Sequence, residues 1–150
     1  MKIRRFEESD FQNLYETISN PEVMKYIESP YTEEQTEVFL QKSGLGNEPR
    51  IYAAENDDGA YVGYVIFHDY DAESMEIGWL LKREEWGKGY AKTLTDLMIA
   101  TAKKMGKDVV LECVPEQAAT RHIAESFGFK YQREVDNLCI YRLDFVPQQS

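Results

Sequence analysis

Glu76-Ile77-Gly78-Trp79-Leu80-Leu81-Lys82-Arg83-Glu84-Glu85-Trp86-Gly87-Lys88-Gly89-Tyr90-Ala91 passes from an apolar strand-like run, through a charged loop holding two glycines, into a helical pattern. A helix that opens directly after a strand and a tight loop presents main-chain N–H groups at the positive end of its dipole, a site suited to phosphate oxygens. Glycine lets such a loop tighten and lets an anion approach the main chain with no Cβ in the way. Lys82, Arg83, Lys88 and Lys92 surround the loop and are expected to screen an anion's charge. Spacing alone leaves a second reading open, because many strand-to-helix turns need two glycines only in order to turn. A nucleotide P-loop, GxxxxGK[ST], is missing here, as is the GxGxxG of a dinucleotide fold.

Outward from this stretch the chain alternates strands and helices. Downstream, a long helix is expected from Gly87 to about Lys104, with Leu94, Leu97, Met98, Thr101 and Ala102 on one face and Gly106 as its cap. A buried strand at Asp108–Val114 follows, then a helix at Glu116–Phe127 stopped by Gly128. A hairpin of Lys130–Val135 and Leu138–Leu143 turns at Asp136-Asn137. Upstream, Ser74–Leu81 is the third strand of a meander whose first two strands, Arg50–Ala54 and Tyr61–Phe67, are joined at Asn56-Asp57-Asp58-Gly59.

At the start, Ile3–Phe6 reads as a short strand and Ser9 with Gln12 as a capping box. Phe11, Leu14, Tyr15 and Ile18 form the apolar stripe of the helix that follows, which ends at Asn20-Pro21. A short helical segment at Pro21 to about Tyr26 precedes a helix that Thr32 and Gln35 open and that runs to about Ser43, before Gly44. The pattern defines an α/β (α+β) fold: a mixed, mainly antiparallel sheet of about seven strands flanked by about four helices. At 150 residues, one domain over 1–150 is expected.

The formal net charge of -10 disfavours nucleic acid and anionic membranes as partners. The imbalance lies wholly in residues 1–75, which hold 16 acidic against 6 basic side chains, while residues 76–150 hold 11 of each. An anionic ligand is better tolerated by the second half and a cationic one is drawn to the first. Solubility alone is the competing explanation. No apolar run approaches the ~20 residues that cross a bilayer, and the charged N-terminus gives no room for a signal sequence, so a cytoplasmic protein is expected. Cys113 and Cys139 sit in apolar strands without ligand spacing and are expected as buried thiols. His68 and His122 stand alone in sequence, so no metal site is expected.

On these residues the sequence resembles the GNAT family of N-acetyltransferases, and within it the branch of the ribosomal-protein alanine acetyltransferases. Glu76-Ile77-Gly78-Trp79-Leu80-Leu81 and Trp86-Gly87-Lys88-Gly89-Tyr90-Ala91 carry the resemblance. Ile3-Arg4-Arg5-Phe6 with Asp10, Asn20-Pro21-Glu22-Val23-Met24 and Ala124-Glu125-Ser126-Phe127-Gly128-Phe129 extend it over nearly the whole chain. The resemblance implies acetyl-CoA as cosubstrate, its pantetheine arm paired with the backbone of Trp79, Leu80 and Leu81. Its pyrophosphate would be held by main-chain amides of Gly87, Lys88, Gly89, Tyr90 and Ala91, flanked by Trp86 and Lys92. The family's Gln/Arg-x-x-Gly-x-Gly/Ala starts here at Trp86, and its Asn-x-x-Ser appears as Gln117-Ala118-Ala119-Thr120, which brings in Gln117. The tyrosine that serves many members as acid for the leaving thiolate would fall at Ala124.

Acetyl transfer to an amine needs a neutral amine, a polarised thioester carbonyl and a stabilised thiolate. Glu76 is the candidate base, working through a water, or else only a salt-bridged or solvated carboxylate. Thr120 is the candidate hydroxyl for the thiolate, or else a helix-packing residue. The acceptor class is a primary amine: a protein N-terminus, a polyamine or another small amine. Because Glu22, Glu28, Glu33 and Glu34 lie beside Tyr26 and Tyr31 in the acidic half, a cationic acceptor is favoured. A homodimer is left open. The competing class is a CoA-binding sensor or partner module without turnover.

Overall fold

In the computed structural model, which describes residues 1–145, seven strands form one mixed sheet in the order β1-β2-β3-β4-β5-β7-β6. The strands are β1 (Lys2–Arg4), β2 (Ile51–Glu55), β3 (Tyr61–Asp69), β4 (Ser74–Leu81), β5 (Asp108–Cys113), β6 (Lys130–Val135) and β7 (Leu138–Leu143). The α-helices are α1 (Phe11–Ile18), α2 (Pro21–Met24), α3 (Glu33–Phe39), α4 (Tyr90–Lys104) and α5 (Ala118–Ser126). The short helical segment expected from Pro21 is the four-residue α2, which ends at Met24. Its cap, Asn20, accepts the N–H groups of Glu22 and Val23, with Pro21 at the first helical position. Among the described residues no helix is long and apolar enough to cross a membrane.

The chain divides into two compact units, residues 1–67 with 79–94 and residues 68–78 with 95–150. In the first unit β1, β2 and β3 pair antiparallel. The β2–β3 turn uses Gly59 at φ 80°, the left-handed conformation expected of the Asp-Gly pair. Phe6, Leu14, Ile18, Met24, Leu40, Ile51, Ala53, Tyr64 and Leu80 form its buried cluster.

The start of α1 differs from expectation. A 3₁₀ turn at Glu8–Asp10 leads into it, and the capping box is built on Glu7 and Asp10 of that turn rather than on Ser9 and Gln12, with the Glu7 N–H donating to Asp10 at 2.9 Å. Asp10 is recruited because Arg4 grips its two oxygens at 2.8 and 2.9 Å while the Arg4 Nε reaches Glu55 at 2.6 Å. Helix α3 opens on the expected reciprocal bonds of Thr32 and Gln35. It stops regular winding at Phe39 and passes into a wider π-type turn at Leu40–Gly44.

In the second unit β4 runs parallel to β5, with Glu76 opposite Val110, and β7 pairs antiparallel with both β5 and β6. Asp136 and Asn137 adopt φ 51° and 65° at the last hairpin, as a two-residue turn of this type requires. Asp108 is buried, and its carboxylate accepts from Arg142 at 3.0 Å and from the Phe145 N–H at 2.8 Å. Cys113 and Cys139 face each other across β5 and β7 as buried, free thiols. Burial, reinforced by Cys139, pushes the Cys113 thiol up to about 11, so it stays protonated and is no nucleophile.

Candidate active site

The loop between β4 and α4 begins with a short 3₁₀ turn at Arg83–Glu85. Gly87 and Gly89 then take φ 77° and 82°, so the helix cannot begin at Gly87 as expected from sequence; it begins at Tyr90. A Cβ built on either glycine meets no atom within 4 Å, so the space above this main chain is open to a ligand. The first-turn amides of α4 point out of its positive end. Open space over two left-handed glycines and a helix N-terminus fit a pyrophosphate.

The basic side chains are arranged differently from expectation. Lys82 reaches Glu16 at 3.4 Å and Glu84 at 3.1 Å, Arg83 is held by Glu22 at 2.8 Å, and Lys88 is held by Glu85 at 2.8 Å. Three of the four cations expected to screen an anion are therefore already paired with carboxylates. The charge that favours an anion here comes mainly from the backbone.

Trp86 is the fixture of this loop. Its indole N–H donates to the Leu81 carbonyl at 3.1 Å, and the Arg83 guanidinium lies 4.4 Å from its ring centroid. The ring thus ties the loop back to the end of β4, a role that sequence reading missed. It also occupies the Leu81 carbonyl that the resemblance had offered to a pantetheine arm.

Trp79 to Lys92 lie within the first unit, whereas Glu76, Gln117 and Thr120 belong to the second. The Gln117 side-chain carbonyl accepts the Val114 N–H at 3.0 Å, so Gln117 serves its own turn ahead of α5. Thr120 is partly buried on α5. Ala124 is fully buried, so a tyrosine there would have to enter a packed interior. Glu76, on β4, has its Oε2 3.8 Å from the Nε2 of His68 on β3, a pairing that sequence reading overlooked. Tyr70, just past the end of β3, is hydrogen-bonded to Glu112 of β5; burial and then this carboxylate raise its phenol above the ordinary value. Among the described residues no group of three or more His, Cys, Asp and Glu is placed to hold a metal ion.

The first unit carries one further concavity, of about 660 Å³, lined by Glu28, Tyr31, Glu34, Val38, Phe39 and Lys42 among others. The Tyr31 phenol is bonded to Glu28, and burial followed by this bond pushes it up to about 12. It therefore remains a hydrogen-bond donor through the physiological range. Of the four glutamates read as an acidic cluster, Glu28 and Glu34 line this groove, whereas Glu22 is bound to Arg83.

A mixed sheet with a glycine loop opening onto a helix makes this an α/β protein with a helix N-terminus open above its main chain. The family model of the acetyltransferase (GNAT) domain matches residues 1–130, and the chain belongs to that family. It is accordingly an N-acetyltransferase that uses acetyl-CoA. An uncharacterized N-acetyltransferase of Bacillus subtilis (strain 168), YnaD, is 30% identical over 132 residues, which cover 85% of this chain and 78% of that protein. A GNAT-family acetyltransferase from Bacillus anthracis superposes with a TM-score of 0.83 at 26% identity, covering 94% of this chain and 92% of the other. The spermidine N-acetyltransferase of Vibrio cholerae, solved with CoA and spermine, superposes with a TM-score of 0.76 at 22% identity over the same shares.

Proposed function

We propose that the chain acts as one cytoplasmic acetyltransferase domain, transferring acetyl from acetyl-CoA directly to a primary amine on a positively charged acceptor such as a polyamine or a protein N-terminus. The observation that carries the acceptor class is the groove of Glu28, Tyr31 and Glu34, where two carboxylates and a phenol stand beside Val38 and Phe39. Carboxylates attract an ammonium group and the apolar side chains receive its methylene stem; Lys42, at the same groove, opposes this attraction only in part, one positive charge against two negative ones. The solved neighbour that holds spermine supports the same class.

Bound acetyl-CoA supplies a thioester carbonyl open to attack and a thiolate that leaves. The amides of Gly87 to Ala91 hold its pyrophosphate, and the backbone of β4 at Trp79 and Leu80 receives the pantetheine arm. Glu76 takes the proton that the amine loses on forming the new C–N bond. Thr120 is assigned to the thiolate, which gains a proton as the C–S bond breaks.

Release of free CoA thiol across a panel of polyamines, peptides with free N-termini, amino acids and neutral amines tests this reading. Turnover highest with a cationic amine is expected. Thermal stabilisation by CoA with no thiol release from any amine would instead identify a CoA-binding module without catalysis.

A further inference from the structure

We propose that Glu85 is an internal competitor for the phosphates of CoA: it holds the Lys88 ammonium until the cosubstrate takes it, and by staying beside the bound phosphates it weakens CoA binding and speeds CoA release. The proposal rests on the assignment of the loop from Gly87 to Ala91 to the pyrophosphate.

This loop is an anion site ringed by carboxylates. Lys82, Arg83 and Lys88 stand among Glu84 and Glu85 of the loop itself. Glu16 of α1 and Glu22 of α2 add two more carboxylates to the same group. Negative side chains therefore outnumber the positive ones that they hold, which is the reverse of what tight binding of a polyanion calls for.

The three cations differ in how firmly they are kept. Lys82 is 19% exposed and lies between Glu16 at 3.4 Å and Glu84 at 3.1 Å. Arg83 is fixed from two sides, by Glu22 at 2.8 Å and by the Trp86 ring, whose centroid is 4.4 Å away. Lys88 is bonded, among the described residues, to Glu85 alone, Nζ to Oε2 at 2.8 Å. That bond comes first among the causes that hold its ammonium above the ordinary value. The Lys88 side chain is half exposed whereas Glu85 is 17% exposed, so the carboxylate is the fixed member of the pair and the lysine arm the mobile one.

The main chain puts that arm where the exchange must happen. Lys88 sits between Gly87 and Gly89, whose left-handed φ values leave open space above them. Its stem starts from the backbone assigned to the pyrophosphate and runs back three residues to Glu85. Rotation about the stem bonds carries the ammonium from one anion to the other. A half-exposed ion pair is worth little in water, so a phosphate group of greater charge displaces Glu85 from Lys88. Glu85 then keeps its own charge within a Debye length of the phosphates and repels them. Acetyl-CoA and CoA carry the same phosphates and are weakened alike, and the gain falls on product release.

Calorimetric titration of CoA into Glu85→Gln, Glu84→Gln, Lys88→Gln and the double variant Glu85→Gln/Lys88→Gln reads this without turnover. Glu85→Gln should bind CoA on the order of threefold more tightly than wild type, with slower dissociation by stopped-flow displacement. Glu84→Gln removes the same charge one residue away, from a partner of Lys82, and should bind CoA as wild type does. Lys88→Gln should bind more weakly, and adding Glu85→Gln to it should recover little. An unchanged affinity in Glu85→Gln, an equal gain in Glu84→Gln, or a gain that persists in full without Lys88 overturns the inference. Gly89→Val separates it from the reading beneath. Lost CoA affinity there beside an unmoved Glu85→Gln removes only the role of Glu85, whereas a folded Gly89→Val with normal affinity removes the loop assignment and this inference with it.

Discussion

Gly63 of β3 lies so close to Leu80 of β4 that a Cβ at position 63 would fall 2.3 Å from the Leu80 carbonyl oxygen and 2.7 Å from the Leu81 Cα. Hydrogen on Gly63 is therefore what lets β3 support the last residues of β4, from which the glycine loop departs. The Lys82 N–H bonds to the Val62 carbonyl at 2.9 Å just beyond this contact, extending the support to the first residue of the loop.

Gly63→Ala should accordingly be among the costliest single-methyl additions in the chain. The contact is with backbone, which cannot swing aside, and overpacking of this kind costs about 1–3 kcal/mol. Urea unfolding should show the loss. A midpoint equal to wild type would mean that β3 and β4 are not packed in this way.

Trp86→Phe keeps a ring under Arg83 but removes the N–H that the Leu81 carbonyl accepts. The loss of one such bond, about 1 kcal/mol, falls on the loop rather than on the core. Affinity for CoA should drop several-fold by calorimetric titration while the melting temperature changes little. A reversed pattern, lower stability with intact affinity, would place the role of the indole in the fold instead.

Much of this architecture is legible in the sequence wherever a local rule dictates the geometry. Asp58-Gly59 and Asp136-Asn137 announce their hairpins because each turn demands positive φ, and Thr32 with Gln35 announces α3 because the two side chains cap each other. The same local rules place Ser74–Leu81 with its observed bounds. They fail where long-range packing chooses. On α4, Leu94, Met98 and Ala102 are buried as the period predicts, but Leu97 and Thr101 face solvent and Thr95 is buried in their place. Arg4 takes Asp10 from forty-five residues away from its other partner, Glu55, which no capping rule anticipates. At the site, the glycine loop is legible from its spacing. The pairing of Lys82 with Glu16 and of Arg83 with Glu22 is not, because those glutamates come from distant helices.

The Arg4–Asp10 pair makes an acid-stability prediction. Burial alone would raise the Asp10 carboxyl, but the bonds from Arg4, Glu7 and Asn13 outweigh it and hold it below its ordinary value. A group whose pKa is lowered on folding stabilises the protein above the unfolded value and loses that contribution as pH falls through the folded one. Asp10→Asn should cost on the order of 3 kcal/mol near neutrality. The gap from wild type should narrow below about pH 4, the ordinary carboxylate range. Urea midpoints at pH 7 and pH 3 measure it, and a gap that stays constant would contradict the assignment.

The groove predicts how salt and charge act on the acceptor. With Glu28 and Glu34 both changed to Gln, kcat/KM for the best cationic amine should fall. It should also lose much of its decline between low and physiological ionic strength, because a field of this kind is screened within ~8–10 Å. Glu33→Gln is the control, since Glu33 lies in the first turn of α3 outside the groove-lining residues named. Equal effects in the control and the double variant would speak for general surface charge.

Calorimetric titration of CoA into Gly89→Val tests whether the loop from Gly87 to Ala91 holds the pyrophosphate of CoA. A branched side chain at this position meets no protein atom near its Cβ, so it intrudes on the ligand's space, at the local expense of a left-handed φ of 82°. With a circular dichroism spectrum matching wild type, affinity should fall at least tenfold, about 1.4 kcal/mol. A folded Gly89→Val that binds CoA as tightly as wild type would place the pyrophosphate elsewhere.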